Sequence, residues 1–245
     1  TQLQRIKREV WIMKYGSITT GIIADGLVFN IDAANRASTI PSSATTKAFN
    51  TLDTSISGSF VNDTIYDSST IPPSYAFDGT ADYIEITNLN VLNGLSTCTF
   101  SCWGKKTASN KDLVVGAGTA ETNSIYILWY LNGYVYFGTR ATGATGFNIN
   151  KNFAGDINNF HNFVGVYDQG IASLYINGIL ETGPTSGGPS ALGSNIDETL
   201  KIGRLGNVTS YDTTGNIGPV HIYNRALSAN EVLHNYNALK GRFGL

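Results

Sequence analysis

The sequence predicts an all-β fold, a two-sheet antiparallel jelly-roll sandwich with one short helix near the C-terminus. Short runs of alternating apolar and polar residues recur along the chain, with turn residues between many of them. No long linker, sustained change of composition or fixed-period repeat divides the sequence. An up-and-down barrel is the alternative, although the unequal spacing of the runs favours a sandwich. The predicted strands are residues 26–33, 83–87, 98–104, 112–118, 124–131, 134–139, 161–168, 172–178, 199–205 and 218–224.

The one convincing helical pattern is "LSANEVLHNYNALKG", near the C-terminus. Ser228 is a good N-cap residue, and Glu231 three positions later completes a capping box. We therefore expect a helix over residues 229–240, with an apolar stripe that includes Leu233. Gly241 follows as the residue that ends the helix.

Composition narrows the possible functions. Only 14% of the 245 residues are charged and the formal net charge is −2, which argues against a basic surface for nucleic acid. Hydrophobic residues make up 42% of the chain, enough for a sizeable core. Gly, Ser, Thr and Asn are abundant in the remainder and predict an uncharged, hydrogen-bonding surface. No apolar run reaches the ~18 residues that a membrane-spanning helix requires.

The chain is predicted to form a single domain over residues 21–245. Residues 1–20 precede it as an N-terminal arm or an upstream extension. Met13 is the only methionine in the sequence. It is either the native start, with residues 1–12 as upstream sequence, or an internal residue of a real arm, and both interpretations stay open.

Two cysteines, Cys98 and Cys102, lie four residues apart in the predicted strand "CTFSCWG". On a strand they share one face and are about 13 Å apart, at ~3.3 Å per residue. A disulfide requires Cα atoms within roughly 7 Å of each other. Both cysteines are therefore expected to be free and to be buried as small hydrophobic residues.

Several segments occur together in the order typical of one known fold family. They are "GLVFNIDAANRAS", "YAFDGTADYIEI", "TFSCWGK", "HNFVGVYDQGIASLYINGILE", "LKIGRL" and "GNIGPVHIYNRALSANEVLHNYNALKGRFGL". Over residues 21–245 the chain resembles the concanavalin A-like lectin/glucanase superfamily, in its laminin G-like form. The last segment looks most like versions found in virion proteins of marine tailed phages. The resemblance implies a jelly roll of two antiparallel sheets, in a family of lectins, glycan-binding modules, adhesive appendages and some glycosidases, so the fold does not settle the function.

The turn in "FDGTADYIEI" carries two aspartates, Asp78 and Asp82, and has two interpretations. In the first, both carboxylates brace a hairpin by accepting hydrogen bonds from nearby backbone amides. In the second, they belong to a calcium site, since the resemblance implies that some relatives bind calcium. Calcium takes six to eight oxygen ligands, and the sequence names only these two, so no cofactor is assigned beyond calcium as a candidate.

The sequence does not favour an enzyme. A retaining glycosidase needs two carboxylates about 5 Å apart, and hydrolases that resemble this family often carry them in the pattern E-x-D-x-(x)-E, which is absent here. His161, His221 and His234 share no metal-binding spacing and are expected to be structural. No G-x-S-x-G nucleophile motif is present. A glycoside hydrolase is kept as the last alternative.

The hairpin "SIYILWYLNGYVYFG" is the most informative stretch of the sequence. With Asn132-Gly133 as a two-residue loop, Trp129 pairs with Tyr136 and Leu128 pairs with Phe137. The apolar Leu128–Phe137 pair assigns its face to the core, together with Tyr130. The predicted outward residues are Trp129, Tyr134 and Tyr136.

Exposed aromatic rings suit the apolar faces of sugars. We therefore predict a non-catalytic, lectin-like module that binds a glycan or polysaccharide through Trp129, Tyr134, Tyr136 and Asn132. Its expected setting is a phage particle surface or another extracellular structure. In the alternative, both faces are covered and the protein is a structural or decoration protein of the virion, whose partners are other virion subunits or copies of itself.

Overall fold

The computed structural model describes residues 21–42, 44–87, 89–108, 112–119, 122–140, 147–193, 199–206 and 208–245. The predicted N-terminal arm, residues 1–20, lies outside this described part. The described strands are, in chain order, β1 (Leu27–Ile31), β2 (Lys47–Phe49), β3 (Ser57–Val61), β4 (Ile65–Asp67), β5 (Ser74–Asp78), β6 (Tyr83–Thr87), β7 (Thr97–Lys106), β8 (Leu113–Thr119), β9 (Thr122–Trp129), β10 (Tyr134–Arg140), β11 (Phe147–Asn152), β12 (His161–Asp168), β13 (Ile171–Ile176), β14 (Ile179–Ser186), β15 (Thr199–Ile202), β16 (Arg204–Leu205), β17 (Val208–Asp212) and β18 (Thr214–Tyr223).

The strands form the predicted two-sheet jelly-roll sandwich. Sheet A has the order β14-β13-β12-β7-β18-β5-β4, with β1 also paired to β18. Sheet B has the order β11-β10-β9-β8-β15-β6-β3-β2. Strands β16 and β17 form a separate two-stranded ribbon. All pairings between these strands are antiparallel. Because β11 and β14 are edge strands of different sheets, the Lys151–Glu181 ion pair at 3.0 Å links the two sheets along that side.

The core lies between the inner faces of the two sheets. Alternate residues of each strand enter it, as the period of two requires; Phe100 of sheet A and Ile127 of sheet B, for example, are fully buried. The prediction for the cysteines is confirmed, because Cys98 and Cys102 are both free and buried. Burial raises the pKa of the Cys102 thiol to about 12 and raises that of Cys98 as well. Neither thiol is therefore reactive in the folded protein.

The hairpin between β9 and β10 corrects the predicted register by one residue. Trp129 lies opposite Val135, and Leu128 lies opposite Tyr136. The loop contains three residues, since the Tyr130 amide donates to the Tyr134 carbonyl at 2.8 Å. Its third residue, Gly133, has a φ of 87°. This is a three-residue loop with glycine in the left-handed region, which the same Asn-Gly dipeptide allows as well as the two-residue loop.

The stretch "FDGTADYIEI" is not a hairpin, which corrects the first interpretation of that turn. Its first half ends β5 in sheet A, and its second half is β6 in sheet B. The turn therefore carries the chain from one layer of the sandwich to the other. Its aspartates still accept backbone hydrogen bonds, as predicted, but they fix the corner between the two sheets.

The C-terminal helix, α1 (Ala229–Lys240), has the predicted bounds and capping box. Two details differ from the prediction. Gly241 is right-handed and continues into a 3₁₀ turn, and Gly244, with a φ of 73°, is the left-handed residue. Leu233 is 43% exposed, because Asn235 takes the buried position on the inner side of the helix. The described part of the chain contains no helix with the length and apolar character of a membrane span.

The helix and the following turn cover the outer face of sheet A. The ring of Trp103 stacks on Phe243 at 4.1 Å and on Tyr236 at 5.6 Å between centroids. The outer face of this sheet is therefore partly closed by the protein itself. The outer face of sheet B, by contrast, presents aromatic rings to solvent.

The buried His221 of β18 allows this packing to be tested by the effect of pH on stability. Burial lowers the pKa of His221 to about 4, from an unperturbed value of about 6.5. The stability that comes from keeping this ring neutral is present above pH 6.5 and is lost as the pH falls towards 4. When the pH falls from 7 to 4.5, the parent should lose roughly 2–3 kcal/mol more unfolding free energy than the His221→Gln variant does. Urea denaturation at both pH values measures the difference.

The matched control is His234→Gln, because His234 is a half-buried histidine of α1 whose ring bonds the Gly21 carbonyl outside the core. It should lose as much unfolding free energy as the parent over the same range. Equal losses for the parent and His221→Gln would contradict the buried, neutral histidine.

Candidate functional site

The outer face of sheet B carries a group of tyrosines around the β9–β10 hairpin. The corrected register places the tyrosines of both strands on the same side of the sheet, away from the core. Tyr126 is only 7% exposed, because its ring lies flat over Gly138, where a Cβ atom would collide with it. The other rings are half-buried. We call the set Tyr130, Tyr134, Tyr136 and Tyr211 the tyrosine face.

The rings of the tyrosine face contact one another. The centroids of Tyr130 and Tyr136 are 6.3 Å apart, and those of Tyr134 and Tyr136 are 6.1 Å apart. Tyr211 reaches Tyr130 from β17, at 5.9 Å. These separations lie within the range of about 4.5–7 Å over which aromatic rings attract each other. The rings thus form one continuous, partly exposed aromatic surface.

A row of amides borders the tyrosine face on β11. Asn148, Asn150 and Asn152 are exposed, and they alternate with Ile149, which is buried, and with Lys151, which is exposed. Asn150 lies opposite Tyr136 and Asn152 lies opposite Tyr134. Each side-chain amide offers two donors and one acceptor oxygen. The edge of sheet B therefore supplies hydrogen-bonding groups directly beside the rings.

The β16–β17 ribbon holds Tyr211 in place on the other border. The Arg204 guanidinium donates to both carboxylate oxygens of Asp212, at 2.6 and 2.8 Å. This bond raises the pKa of Arg204 above its usual value. Leu205 packs directly on Gly116 of β8, which leaves no room for a side chain there. The ribbon is thus fixed to the sheet by a buried ion pair and by close packing.

Beyond the ribbon, the outer face of sheet B becomes polar. A recess of ≈ 320 Å³ is lined by Ser55, Ser57, Ser59, Glu85 and Thr87, together with Ile56. The Lys201 ammonium lies 3.7 Å from Glu85 Oε1 and 4.6 Å from the centroid of the Tyr83 ring. The face therefore combines an aromatic half with a half rich in hydroxyl groups.

The four predicted carbohydrate-binding residues do not all lie on one surface of the structure. Trp129 is 1% exposed and packs in the core, so its predicted outward position is wrong, and so is the predicted inward position of Tyr130. Tyr134 and Tyr136 lie on the outer face. Asn132 is at the exposed tip of the hairpin, where its Oδ1 accepts from the Tyr134 amide at 3.0 Å. The carbohydrate-binding role of these residues stays a prediction.

The sequence reasoning missed Tyr211, the outward position of Tyr130 and the asparagine row. A signal for Tyr130 was present, since a three-residue loop puts every tyrosine of the hairpin on one face, whereas a two-residue loop divides them between both faces. The alternating asparagines of "FNINKN" signalled a strand with one polar face. Tyr211 could not be placed, because its ribbon pairs with no strand of either sheet.

A separate cleft of ≈ 330 Å³ opens at the tip of the hairpin. Its lining includes Lys106, Trp129, Leu131, Asn132, Phe153 and Ile157. Lys106 is only 2% exposed. Burial lowers the pKa of its ammonium group to about 8.

The two aspartates of the corner between the sheets are occupied by backbone amides. Asp82 is 1% exposed, and its two oxygens accept from the amides of Asp63 and Asp78, both at 2.9 Å. Burial raises the pKa of Asp82. Asp78 Oδ1 accepts from the Thr80 amide at 2.6 Å. Among the described residues, no group of three or more His, Cys, Asp or Glu residues is arranged to hold a metal ion. These contacts favour the bracing role over the calcium site.

The position of Trp129 leads to a stability prediction. Trp129→Ala removes a fully packed ring from the core and should cost roughly 3–5 kcal/mol of unfolding free energy. Tyr136→Ala removes a half-buried ring from the surface and should cost about 1 kcal/mol. Thermal melts of the two variants test the assignment, and a Trp129→Ala protein with the melting temperature of the parent would contradict it.

The two aspartates should differ in their effect on stability. Asp82→Asn replaces one accepting oxygen by an NH₂ group that faces a buried amide, and should cost about 1–3 kcal/mol. Asp78→Asn should have a smaller effect, because an exposed Asn can accept the same amide hydrogen bond. Urea denaturation with and without calcium measures both. If calcium raises the Tm of the parent, and Asp78→Asn abolishes that gain with little change in calcium-free stability, the metal site is correct instead.

Comparisons with known proteins agree with this architecture. Residues 78–233 match a laminin G family model described as the concanavalin A-like lectin/glucanases superfamily. Curated protein sequences give no significant match. Domain 4 of AbnA, a GH43 extracellular arabinanase from Geobacillus stearothermophilus, solved in complex with arabinotriose, superposes with a TM-score of 0.63 at 13% identity. The match covers 86% of this chain and 98% of that one.

Two botulinum neurotoxin structures are also similar. The binding domain of serotype D has a TM-score of 0.64 at 16% identity, covering 87% of this chain and 52% of that one. The binding domain of neurotoxin DC, in complex with rat synaptotagmin II, has a TM-score of 0.62 at 14% identity, with the same coverage. The chain thus spans about half the length of these two structures, and identities this low show a shared fold alone.

The likeness of the C-terminal segment to marine phage virion proteins stays a prediction. Because the family match extends over more than half of the sequence, the chain belongs to the concanavalin A-like lectin/glucanases superfamily, as a laminin G-like jelly roll.

Proposed function

We propose that this protein is a non-catalytic carbohydrate-binding module and that the tyrosine face is where it binds a glycan. The main observation behind the proposal is that three kinds of group lie next to one another on the outer face of sheet B. Partly exposed phenol rings, exposed side-chain amides and a hydroxyl-lined recess all lie on the same side of sheet B.

Each of these groups matches a part of a sugar. The apolar side of a sugar ring packs on an aromatic ring, while phenol, amide and hydroxyl groups bond its hydroxyls. The asparagines of β11 recur every second residue, at intervals of about 6.6 Å. An extended oligosaccharide lying along β10 and β11 would therefore contact rings and amides along its length.

A binding role also fits what is known of the structural neighbours. The arabinanase domain was solved with arabinotriose, and the botulinum structures are binding domains. A non-catalytic role also fits the hydrogen bonds that two of the carboxylates described above already accept. Asp82 and Asp212 are held by backbone amides and by a guanidinium, so neither is free to act as a general acid or base.

The setting that we propose is a virion surface or another extracellular structure. An uncharged surface rich in Ser, Thr and Asn suits contact with polysaccharide in such a setting. If the protein is instead a structural subunit without glycan binding, the same tyrosine face would contact a neighbouring copy or another virion protein. The two possibilities differ in whether the isolated protein binds glycans or forms a symmetric oligomer through this face.

A glycan array followed by retention on the best polysaccharide tests the proposal. Tyr136→Ala should weaken binding at least about tenfold, because it removes the ring that contacts both Tyr130 and Tyr134. Tyr66→Ala is the matched control, since Tyr66 is a half-buried tyrosine of β4 in sheet A. It should leave binding unchanged.

The array is run with calcium and with a chelator. Binding should be the same in both, because Asp78 and Asp82 already accept backbone hydrogen bonds. An array without any signal, or binding that survives Tyr136→Ala and Tyr134→Ala together, would overturn the proposal.

A further inference from the structure

The cleft at the hairpin tip contains a lysine in an unusual place. Lys106 is the last residue of β7, and it extends from sheet A to the end of the β9–β10 hairpin in sheet B. Its Nζ donates to the Tyr130 carbonyl at 3.0 Å and lies 4.4 Å from the centroid of the Trp129 ring. Only 2% of the surface of Lys106 is exposed, so its ammonium group is buried at the end of the hydrophobic core.

The lining of the cleft offers hydrogen-bond donors and no carboxylate. Lys106 is the one charged residue among the described residues that line it. Trp129 Nε1, in the same lining, is buried and has no hydrogen-bond partner in the described part of the chain. An ammonium group has three donors, and the Tyr130 carbonyl uses one of them. An acceptor that carries negative charge would complement both side chains, since the ammonium group has donors beyond the one given to Tyr130, and the nearby Asp112 carboxylate does not line the cleft.

We propose that this cleft binds the carboxylate of an acidic sugar residue, with Lys106 as the cation that recognises it. The inference rests on the proposed function and names the class of glycan, one that contains uronic or sialic acid. The protein would then discriminate acidic from neutral glycans at the tip of the hairpin.

The surroundings of Lys106 favour a sugar acid as the source of that carboxylate. The half-buried Phe153 ring and the exposed Asn132 amide line the same cleft, so it has a surface for a sugar ring and a group for a hydroxyl. Its volume of ≈ 330 Å³ lies at the lower end of the range of about 300–1,000 Å³ for ligand pockets, which suits a single sugar residue.

The cleft also adjoins the tyrosine face at the tip of the hairpin. Asn132 and Gly133 line it, and Tyr134 is the next residue along the chain. The Asn132 side chain is bonded to the Tyr134 amide. A glycan lying on the tyrosine face can therefore place one residue in the cleft.

Recognition by Lys106 predicts a specific pH dependence. With the Lys106 pKa lowered to about 8, the charged fraction of its ammonium group falls about tenfold between pH 7 and pH 9. The other titratable groups around the cleft are Asp112, Asp156 and His161. Burial lowers the pKa of His161, so its ring does not change charge between pH 7 and pH 9. Affinity for an acidic sugar should fall about tenfold between pH 7 and 9, while affinity for a neutral sugar should not change.

The experiment is calorimetry with four probes, namely trigalacturonate, 3′-sialyllactose and the carboxyl-reduced analogue of each. The parent should bind at least one acid about tenfold more tightly than its reduced analogue at pH 7, and should lose this preference at pH 9. Lys106→Met should remove the preference at pH 7, because methionine fills a similar space without charge.

The matched control is Lys105→Met. Lys105 is the neighbouring residue of β7 and lies on the other face of sheet A, with its Nζ 5.3 Å from the Phe160 ring centroid. It should keep the preference. The pH profile of the parent needs no variant, so the test holds even if Lys106→Met is unstable.

Equal binding of acids and reduced analogues, or an acid preference that is independent of pH, would overturn the inference. So would an equal loss of preference in Lys105→Met, or failure of both acids to bind. The proposed function stands in all of these cases if Tyr136→Ala still abolishes retention on a neutral polysaccharide. The proposed function and the inference fall together if the glycan array gives no signal at all.

Discussion

The three-residue turn between β9 and β10 determines which rings the protein shows to solvent. With Gly133 in the left-handed region, Trp129 pairs with Val135 and enters the core. A loop one residue shorter would pair Trp129 with Tyr136 and would put the tyrosines of the two strands on opposite faces. The length of this one loop thus brings Tyr130, Tyr134 and Tyr136 to the same side, and both proposed binding surfaces depend on it.

The rest of the sandwich supports this hairpin from both sides. On the inner side, the Trp129 ring packs against Phe153 and Phe163 and under the Lys106 ammonium, so the turn cannot shift without opening the core. On the outer side, the β16–β17 ribbon brings Tyr211 against Tyr130 and is held by the Arg204–Asp212 ion pair. Because the tyrosine face is backed by the packed core and bordered by this ribbon, we expect it to lose little freedom when a ligand binds, which lowers the entropic cost of binding.

Local pattern in the sequence predicted the fold, the helix bounds and the free cysteines, because strand alternation and helix caps act over a few residues. It did not fix the hairpin register, since an Asn-Gly dipeptide fits two loop lengths. The dipeptide Asn177-Gly178 has positive φ at both residues and forms the two-residue loop, whereas Asn132-Gly133 does not. Tyr211 and Lys106 reach the two surfaces through contacts between distant strands, so no local pattern signals them. The sequence predicts a hairpin at Asp78 and Asp82, because a change of sheet leaves no trace in the alternation of apolar and polar residues.

The most direct test of the account is an NMR titration of the tyrosine rings, labelled with ¹³C, with the oligosaccharide that binds best on the array. The account predicts shifts for Tyr134, Tyr136 and Tyr211, which lie on the outer face of sheet B or beside it. The buried rings of Tyr75 and Tyr223 should stay unchanged. Shifts confined to tyrosines of sheet A or α1, such as Tyr66 and Tyr236, would contradict the claim that this protein binds glycans through the tyrosine face.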